Sequence, residues 1–180
     1  MIILLFGAPG TGKSTYGRHI ASKLGVPWIS SGRLLREVAR QDDRIAGFID
    51  SGELVPSEDV ERVLFERLAA AGSGFVLDGY PRTVPQARNF LRFLQERSWR
   101  LTRVYHLRAP DEVVLQRLLA RGRDDDRPDV IRERLRVYRL ETEAIIQVLR
   151  EAGTDILEVD TSPPMEEVKR RLDASLEGMA

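Results

Sequence analysis

Short apolar runs of strand length alternate along this chain with longer segments whose apolar residues recur at helical spacing. The short runs predict strands over residues 2–6, 28–30, 75–77, 103–107 and 155–159. Between them, Val60, Val63, Leu64 and Leu68 within 57–70, and Ala87, Phe90, Leu91 and Leu94 within 84–97, repeat near the helical period and predict amphipathic helices. Strands alternating with helices indicate a parallel sheet covered on both faces. The first run is apolar at every position, as a central strand buried on both sides must be. The predicted fold class is therefore α/β, a five-stranded parallel sheet flanked by helices.

The last third reads mostly as helix. Pro110 suits a first helical turn, and Asp111 and Glu112 follow where the positive end of the helix dipole favours acids. Leu115, Leu118 and Leu119 continue the apolar face until Gly122 ends it. A long helix is predicted over 129–151, with Ile131, Leu135, Tyr138, Ile145 and Leu149 on one stripe. Segments 41–51 and 122–128 read as surface loops where the chain can move. No repeat, low-complexity tract or linker divides the 180 residues, so a single domain over 1–180 is expected.

Composition narrows the function. The chain has 28 Lys plus Arg against 28 Asp plus Glu, with no basic block. That balance argues against an electrostatic grip on nucleic acid or an anionic membrane. No cysteine is present, so disulfides and thiolate metal sites are out, and two histidines, His19 and His106, do not make a histidine-rich zinc site. The run 1–6 is too short for a signal-peptide core and lacks a basic start. No apolar stretch approaches the ~20 residues that span a bilayer. A soluble, cytoplasmic protein is expected. Only Lys13, Lys23 and Lys169 are lysine, leaving 25 arginines, most of which read as surface or compositional bias.

The sharpest chemical signal is Gly7-Ala-Pro-Gly-Thr-Gly-Lys13-Ser14-Thr15, which satisfies G-x-x-x-x-G-K-[ST] between an apolar strand and a helical stretch. Glycines let successive backbone N–H groups converge on phosphate oxygens, and the following helix N-terminus adds favourable partial charge. Lys13 is expected to reach β- and γ-phosphates, and Ser14 or Thr15 to offer a hydroxyl toward magnesium. The tandem leaves open which of the two does so. This loop predicts a nucleoside triphosphate site and is silent on the acceptor.

Three further segments address the acceptor: Ser30-Ser31-Gly32-Arg33-Leu34-Leu35-Arg36, Phe75-Val-Leu-Asp78-Gly79-Tyr80-Pro81-Arg82-Thr83 with Gln86, and Arg123-Asp124-Asp125-Asp126 with Arg134. Together with the phosphate loop they resemble the nucleoside monophosphate kinases, and most closely the adenylate kinases of short-lid form, over residues 1 to 153. The resemblance implies a P-loop kinase fold with an acceptor-binding segment at 31–60 and a short lid at 121–130. It implies ATP contacts from Gly10, Thr11, Gly12, Lys13, Ser14, Thr15, Arg117 and Arg121. For an AMP acceptor it implies Ser31, Arg36, Glu53, Val55, Gly79, Arg82 and Gln86. Lys13, Arg82, Arg123 and Arg134 would be catalytic, and Ser14 with Asp78 would hold magnesium, the latter through water.

Each of these roles has a physical warrant and a plainer alternative. Asp78 ends an apolar run, at the sheet edge where such folds bind ligands; it also reads as an ordinary turn acid. Arg82 can fork onto two phosphate oxygens, which lysine cannot. Gln86 offers both a donor and an acceptor to a base, although it and Ser31 also read as solvated helix residues. Between Arg117 and Arg139 lie eight arginines against five acids. Arg117 and Arg121 share a helix face; Arg127, Arg132, Arg136 and Arg139 read as solvated. Asp125 and Asp126 read as hinges, arginine partners or helix caps.

The chain departs from the family at four points. Arg33 stands where the family has Asp, the loop reads G-K-S-T in place of G-K-G-T, the segment 38–51 is shorter, and the lid is minimal. The expected activity is reversible Mg-dependent transfer from ATP to AMP by a monomer. The alternatives are transfer to UMP, CMP or a hydroxylated metabolite, or nucleotide binding with weak or no transfer.

Overall fold

A computed structural model describes residues 1–124 and 126–177, in which five strands and eight helices form. In chain order these are β1 (Ile2–Gly7), α1 (Lys13–Leu24), β2 (Trp28–Ser30), α2 (Ser31–Val38), α3 (Asp43–Ser51), α4 (Ser57–Ala71), β3 (Phe75–Asp78), α5 (Val84–Gln95), β4 (Leu101–Arg108), α6 (Asp111–Arg121), α7 (Pro128–Glu151), β5 (Asp155–Asp160) and α8 (Met165–Glu177). Every residue of β1 is buried, because the strand is the middle of a parallel sheet ordered β2-β3-β1-β4-β5.

Alternation along the strands divides the interior into two cores. Ile2, Leu4 and Phe6 face one side with Phe75, Leu77, Leu64, Leu68, Phe90 and Leu149. Ile3 and Leu5 face the other with Val76, Tyr105, Ile20, Val168 and Leu172. This is the period-two geometry of a strand whose two faces are both covered. A third cluster, Val114, Leu118, Ile131 and Leu135, joins α6 to α7 and packs on Ala8 of the phosphate loop.

The five predicted strands all form; β2 has the predicted bounds, and the other four are longer by one to three residues. The loop expected over 41–51 is instead largely α3. Asp42 caps that helix by accepting from the Arg44 and Ile45 amides, Gly52 closes it at φ +81°, and Ile45 is fully buried. A nine-residue helix with one fully buried side chain leaves too faint a period to read. For α2 the sequence offers only the reading of Ser31 as a helix residue, with no bounds, and α8 lies outside the predicted set; α8 buries only Val168 and Leu172 among charged neighbours. Asp125, one of the acids considered for hinge, arginine-partner or capping roles, lies outside the described residues. Among the described residues, no helix is long and apolar enough to cross a membrane.

The order of strands places a crevice. The connection from β1 leaves toward β2, whereas that from β3 crosses to β4 on the far side of β1. Adjacent parallel strands whose connections diverge leave an opening at their C-terminal ends, where ligands bind. The residues following β1 and β3 are the phosphate loop and Asp78-Gly79-Tyr80.

Candidate active site

The loop after β1 is held open by its own backbone. Gly10 and Gly12 adopt φ +85° and +86°, which side chains rarely tolerate, and a β-carbon on Gly12 would meet the Tyr16 ring at 2.6 Å. Thr11 is 1% exposed, and its hydroxyl donates to the Ala8 carbonyl at 2.8 Å. Its side chain therefore braces the loop and does not line the cleft that opens beside it. Lys13 donates to the carbonyls of Gly7 and Ala8, both at 2.7 Å, leaving one of its three N–H donors for another acceptor.

A cleft of about 800 Å³ opens at this loop. Gly10, Gly12, Lys13, Ser14 and Thr15 line it from one side, and Asp78, Gly79 and Arg82 from the other. Arg36, Arg117, Arg121, Arg123 and Arg134 complete the predicted set. Among the described residues, eight arginines and Lys13 line the cleft against two acids, Asp78 and Glu141. So unequal a wall, inside a chain of zero net charge, is a site for concentrated negative charge.

Titration shifts have the same origin. Burial lowers the Lys13 ammonium to about 8; Asp78 opposes this, and the Arg82 and Arg121 charges add to it. Burial, followed by the charge of Arg134, pushes the Arg82 guanidinium below its usual range, again against Asp78. These cations are close enough to repel one another, and an anion would relieve them together.

Of the tandem hydroxyls, that of Ser14 faces Asp78, with Oγ donating to Oδ2 at 2.8 Å. Asp78 is 4% exposed and closes β3. A hydroxyl and a carboxylate are hard oxygen donors of the kind that hold magnesium together with phosphates and water. Arg33, in the position of the family's acid, pairs with Glu37 one turn along α2 at 2.9 Å and is mostly exposed.

A smaller pocket adjoins the cleft. Ser31, Glu53, Val55 and Gln86 line it, and Arg36, Gly79, Arg82 and Arg134 line both cavities. Ser31 is 2% exposed, and its hydroxyl is a buried polar atom with no hydrogen-bond partner among the described residues. Glu53 is exposed, whereas Val55 is buried. Gln86 is not a solvated helix residue: it is 2% exposed, and Oε1 accepts from the Arg82 amide at 2.8 Å. Thr83 caps α5 by accepting from the Gln86 amide, so Thr83-x-x-Gln86 works as a variant capping box.

Asp126 is an arginine partner. Its carboxylate receives Arg121 through Nε at 2.8 Å and Nη2 at 2.5 Å, accepts the Arg123 amide at 3.2 Å, and lies 3.9 Å from Arg134 Nη1. Burial alone would raise its pKa; the bonds from Arg121 and Arg123 more than offset that and hold it below the usual carboxylate range. Of the arginines read as solvated, Arg127, Arg136 and Arg139 are exposed and make surface bonds to Asp50 O, Glu133 and Asp111. Asp126→Asn is expected to keep the fold, lower stability by about 1–3 kcal/mol and displace Arg121. Because the folded-state pKa is depressed, the carboxylate stabilises above its unfolded value and loses that contribution as pH falls through the folded value. Melting curves from pH 7 to 3 should show a shallower acid limb in the variant.

Several contributors carry no local sequence signal. Arg117 is anchored by donating to the Thr161 carbonyl at 2.7 Å, across from α6. The Tyr80 hydroxyl lies 2.9 Å from Glu61 Oε1 and 3.1 Å from the Gln86 carbonyl, its one proton shared between the two acceptors, while Asn89 Nδ2 reaches both Glu61 oxygens. Burial, then Glu61, raises the Tyr80 phenol well beyond its ordinary range. This network ties α4 to α5 beneath the smaller pocket.

The family profile described as "Adenylate kinase" matches residues 5–154. A protein named adenylate kinase from Mycobacterium tuberculosis is 39% identical over 177 residues, covering 95% of this chain and 96% of the relative. The adenylate kinase of Nocardia farcinica is 43% identical over 152 residues, 81% and 84% of the two chains. Adenylate kinase 1 of a Nostoc species is 39% identical over 180 residues, 97% of each.

Proposed function

The chain belongs to the adenylate kinase family, and on that premise we propose that it is a phosphotransferase converting ATP and AMP reversibly into two ADP. The observation that carries the acceptor half is the set of residues common to both cavities. Arg36, Arg82 and Arg134 line the large cleft and the smaller pocket alike, as groups shared by two phosphate-bearing ligands must. The 31–60 segment is then the acceptor-binding part and 121–130 the lid.

In this reading ATP lies over the phosphate loop, with Arg117 against its base and Arg121 and Arg123 on its phosphates. AMP occupies the smaller pocket, its base against Ser31, Val55 and Gln86 and its phosphate on Arg36 and Arg82. An AMP phosphate oxygen attacks the γ-phosphorus, a new P–O bond forms, and the bond from that phosphorus to the β–γ bridging oxygen breaks. The second pKa of the acceptor phosphate is about 6, so the nucleophile is already ionised at neutral pH and needs no general base. Lys13, Arg82, Arg123 and Arg134 supply positioning and neutralise charge spread over the transferring oxygens. The donor set fits magnesium, which Ser14 and, through water, Asp78 would hold and which would neutralise phosphate charge. Closing the lid excludes water as a competing acceptor.

ADP formation from Mg-ATP with AMP, UMP, CMP, GMP or no acceptor tests the assignment. AMP should give by far the fastest rate. An AMP rate no higher than the acceptor-free control would refute it, and a faster rate with a pyrimidine monophosphate would move the acceptor.

The lowered Lys13 pKa has its own signature. Phosphate beside the ammonium favours the charged form, so ATP binding raises a pKa that starts at about 8. Binding should take up a proton above that pH, and affinity should weaken with rising pH, by up to about tenfold per unit. Titration calorimetry at pH 8.5 in buffers of different ionisation enthalpy measures the uptake; identical apparent enthalpies would contradict it.

A further inference from the structure

The side chain of Gln86 is anchored at both ends within the protein. Oε1 accepts from the Arg82 amide at 2.8 Å, and Nε2 donates to Ser57 Oγ at 3.1 Å. A peptide N–H can only donate, so the end of the side chain facing Arg82 must be the oxygen. The polarity of the amide follows from that one contact. Ser57 can donate or accept and so does not choose the polarity; it holds the plane, from the first residue of α4.

An amide carbonyl has two lone pairs and an amide nitrogen two N–H groups. With one of each engaged, Gln86 keeps one acceptor and one donor, side by side and in fixed order, at the wall of the smaller pocket. Adenine offers the matching pair, a 6-amino donor beside the N1 acceptor. A 6-oxopurine offers the reverse, an acceptor at position 6 beside an N1–H donor. Meeting it would require the amide to turn over, setting Nε2 against the Arg82 N–H. With two donors face to face, a buried polar group is left unsatisfied.

Resting on the reading that Gln86 meets the acceptor base, we propose that Ser57 is a positioning residue for base recognition. It clamps the plane of an amide whose polarity the Arg82 peptide sets, and thereby favours a 6-aminopurine over a 6-oxopurine monophosphate. Residues 57 and 86 are far apart in sequence, and the contact exists only because α4 begins beside the first turn of α5. Removing one neutral hydrogen bond that holds a ligand-reading group costs about five- to tenfold in affinity.

Steady-state kinetics with AMP and IMP, and AMP titration calorimetry, on wild type, Ser57→Ala and Ser57→Thr test this. Ser57→Ala should raise the KM and Kd for AMP about five- to tenfold, with kcat at saturating AMP and the KM for ATP within about twofold. Its AMP-over-IMP preference in kcat/KM should fall by a similar factor. Ser57→Thr, which keeps the hydroxyl, should restore both quantities. An unchanged KM for AMP in Ser57→Ala, a parallel rise in the KM for ATP, or no rescue by threonine would each overturn the proposal. The adenylate reading itself fails on a different result, a wild-type enzyme that neither binds nor phosphorylates AMP. If another monophosphate proves to be the acceptor, the same three-way comparison on that nucleotide decides the role of Ser57, and if none binds the proposal falls too.

Discussion

Arg82→Ala should cut kcat by about 10²–10³-fold while changing ATP affinity by less than about threefold. The asymmetry follows from where the side chain lies. Arg82 lines both cavities; on the proposed reading its forked donors would meet both donor and acceptor phosphates, whereas ATP alone would keep Lys13, Arg117, Arg121 and the loop amides. The side chain is already positioned, because Nε donates to the Gly79 carbonyl at 2.9 Å, a bond that does not engage the terminal nitrogens. Its charge is held under strain by burial and by Arg134. Charge growing on the transferring group relieves that strain, which makes the contact stronger in the transition state than in the ground state. Arg82→Lys should recover little, since a point charge cannot span two oxygens at fixed geometry. Single-turnover rates and equilibrium ATP binding separate the two quantities. Near wild-type turnover in Arg82→Ala would remove Arg82 from the catalytic set and weaken the two-ligand reading of the cavities.

Lys13→Met should lower kcat by about 10²-fold and ATP affinity by about tenfold, without lowering the melting temperature. Methionine matches the length of the lysine stem and carries no charge. The wild-type ammonium is buried beside Arg82 and Arg121, and its pKa is depressed to about 8, so the charged form is costly in the folded protein. Below that pH the cost is present in full; as pH rises from the folded toward the unfolded pKa, the unfolded state holds the extra proton and the native state gains relative stability. Removing the charge removes the cost, although the carbonyls of Gly7 and Ala8 lose a donor each. A stable but inactive variant is therefore the expected outcome, and proton uptake on ATP binding at pH 8.5 should vanish with it. A variant that melts much earlier would show instead that Lys13 chiefly braces the loop.

Much of the site was legible because its parts are local. Gly10 to Thr15 form a contiguous motif whose conformation, positive φ at Gly10 and Gly12 followed by a helix N-terminus, is set within a few residues. The Asp78 to Gln86 segment is local in the same sense, down to the capping of α5 by Thr83. Strands that are apolar on both faces announce a covered parallel sheet. Helix α3 was not legible, because its cap and its single fully buried residue are weak signals against polar neighbours. Asp126 appeared as one of three consecutive acids, and nothing in that run marks the one whose carboxylate is enclosed by Arg121, Arg123 and Arg134. The Gln86 side chain read as base-facing or solvated, and its anchorage to Ser57 could not be seen from either position.

What the sequence determined alone is the chemistry available: a phosphate loop, an acid at a strand end, and arginines in place of lysines. Those properties belong to residue types and short spacings. Which arginines act together, which of two adjacent hydroxyls faces Asp78, and which way the Gln86 amide points were decided by the tertiary structure. Each depends on a contact between segments that only the sheet order brings together. Charge neutrality along the chain and a strongly cationic cleft are compatible for the same reason, since folding sorts by position what composition merely counts.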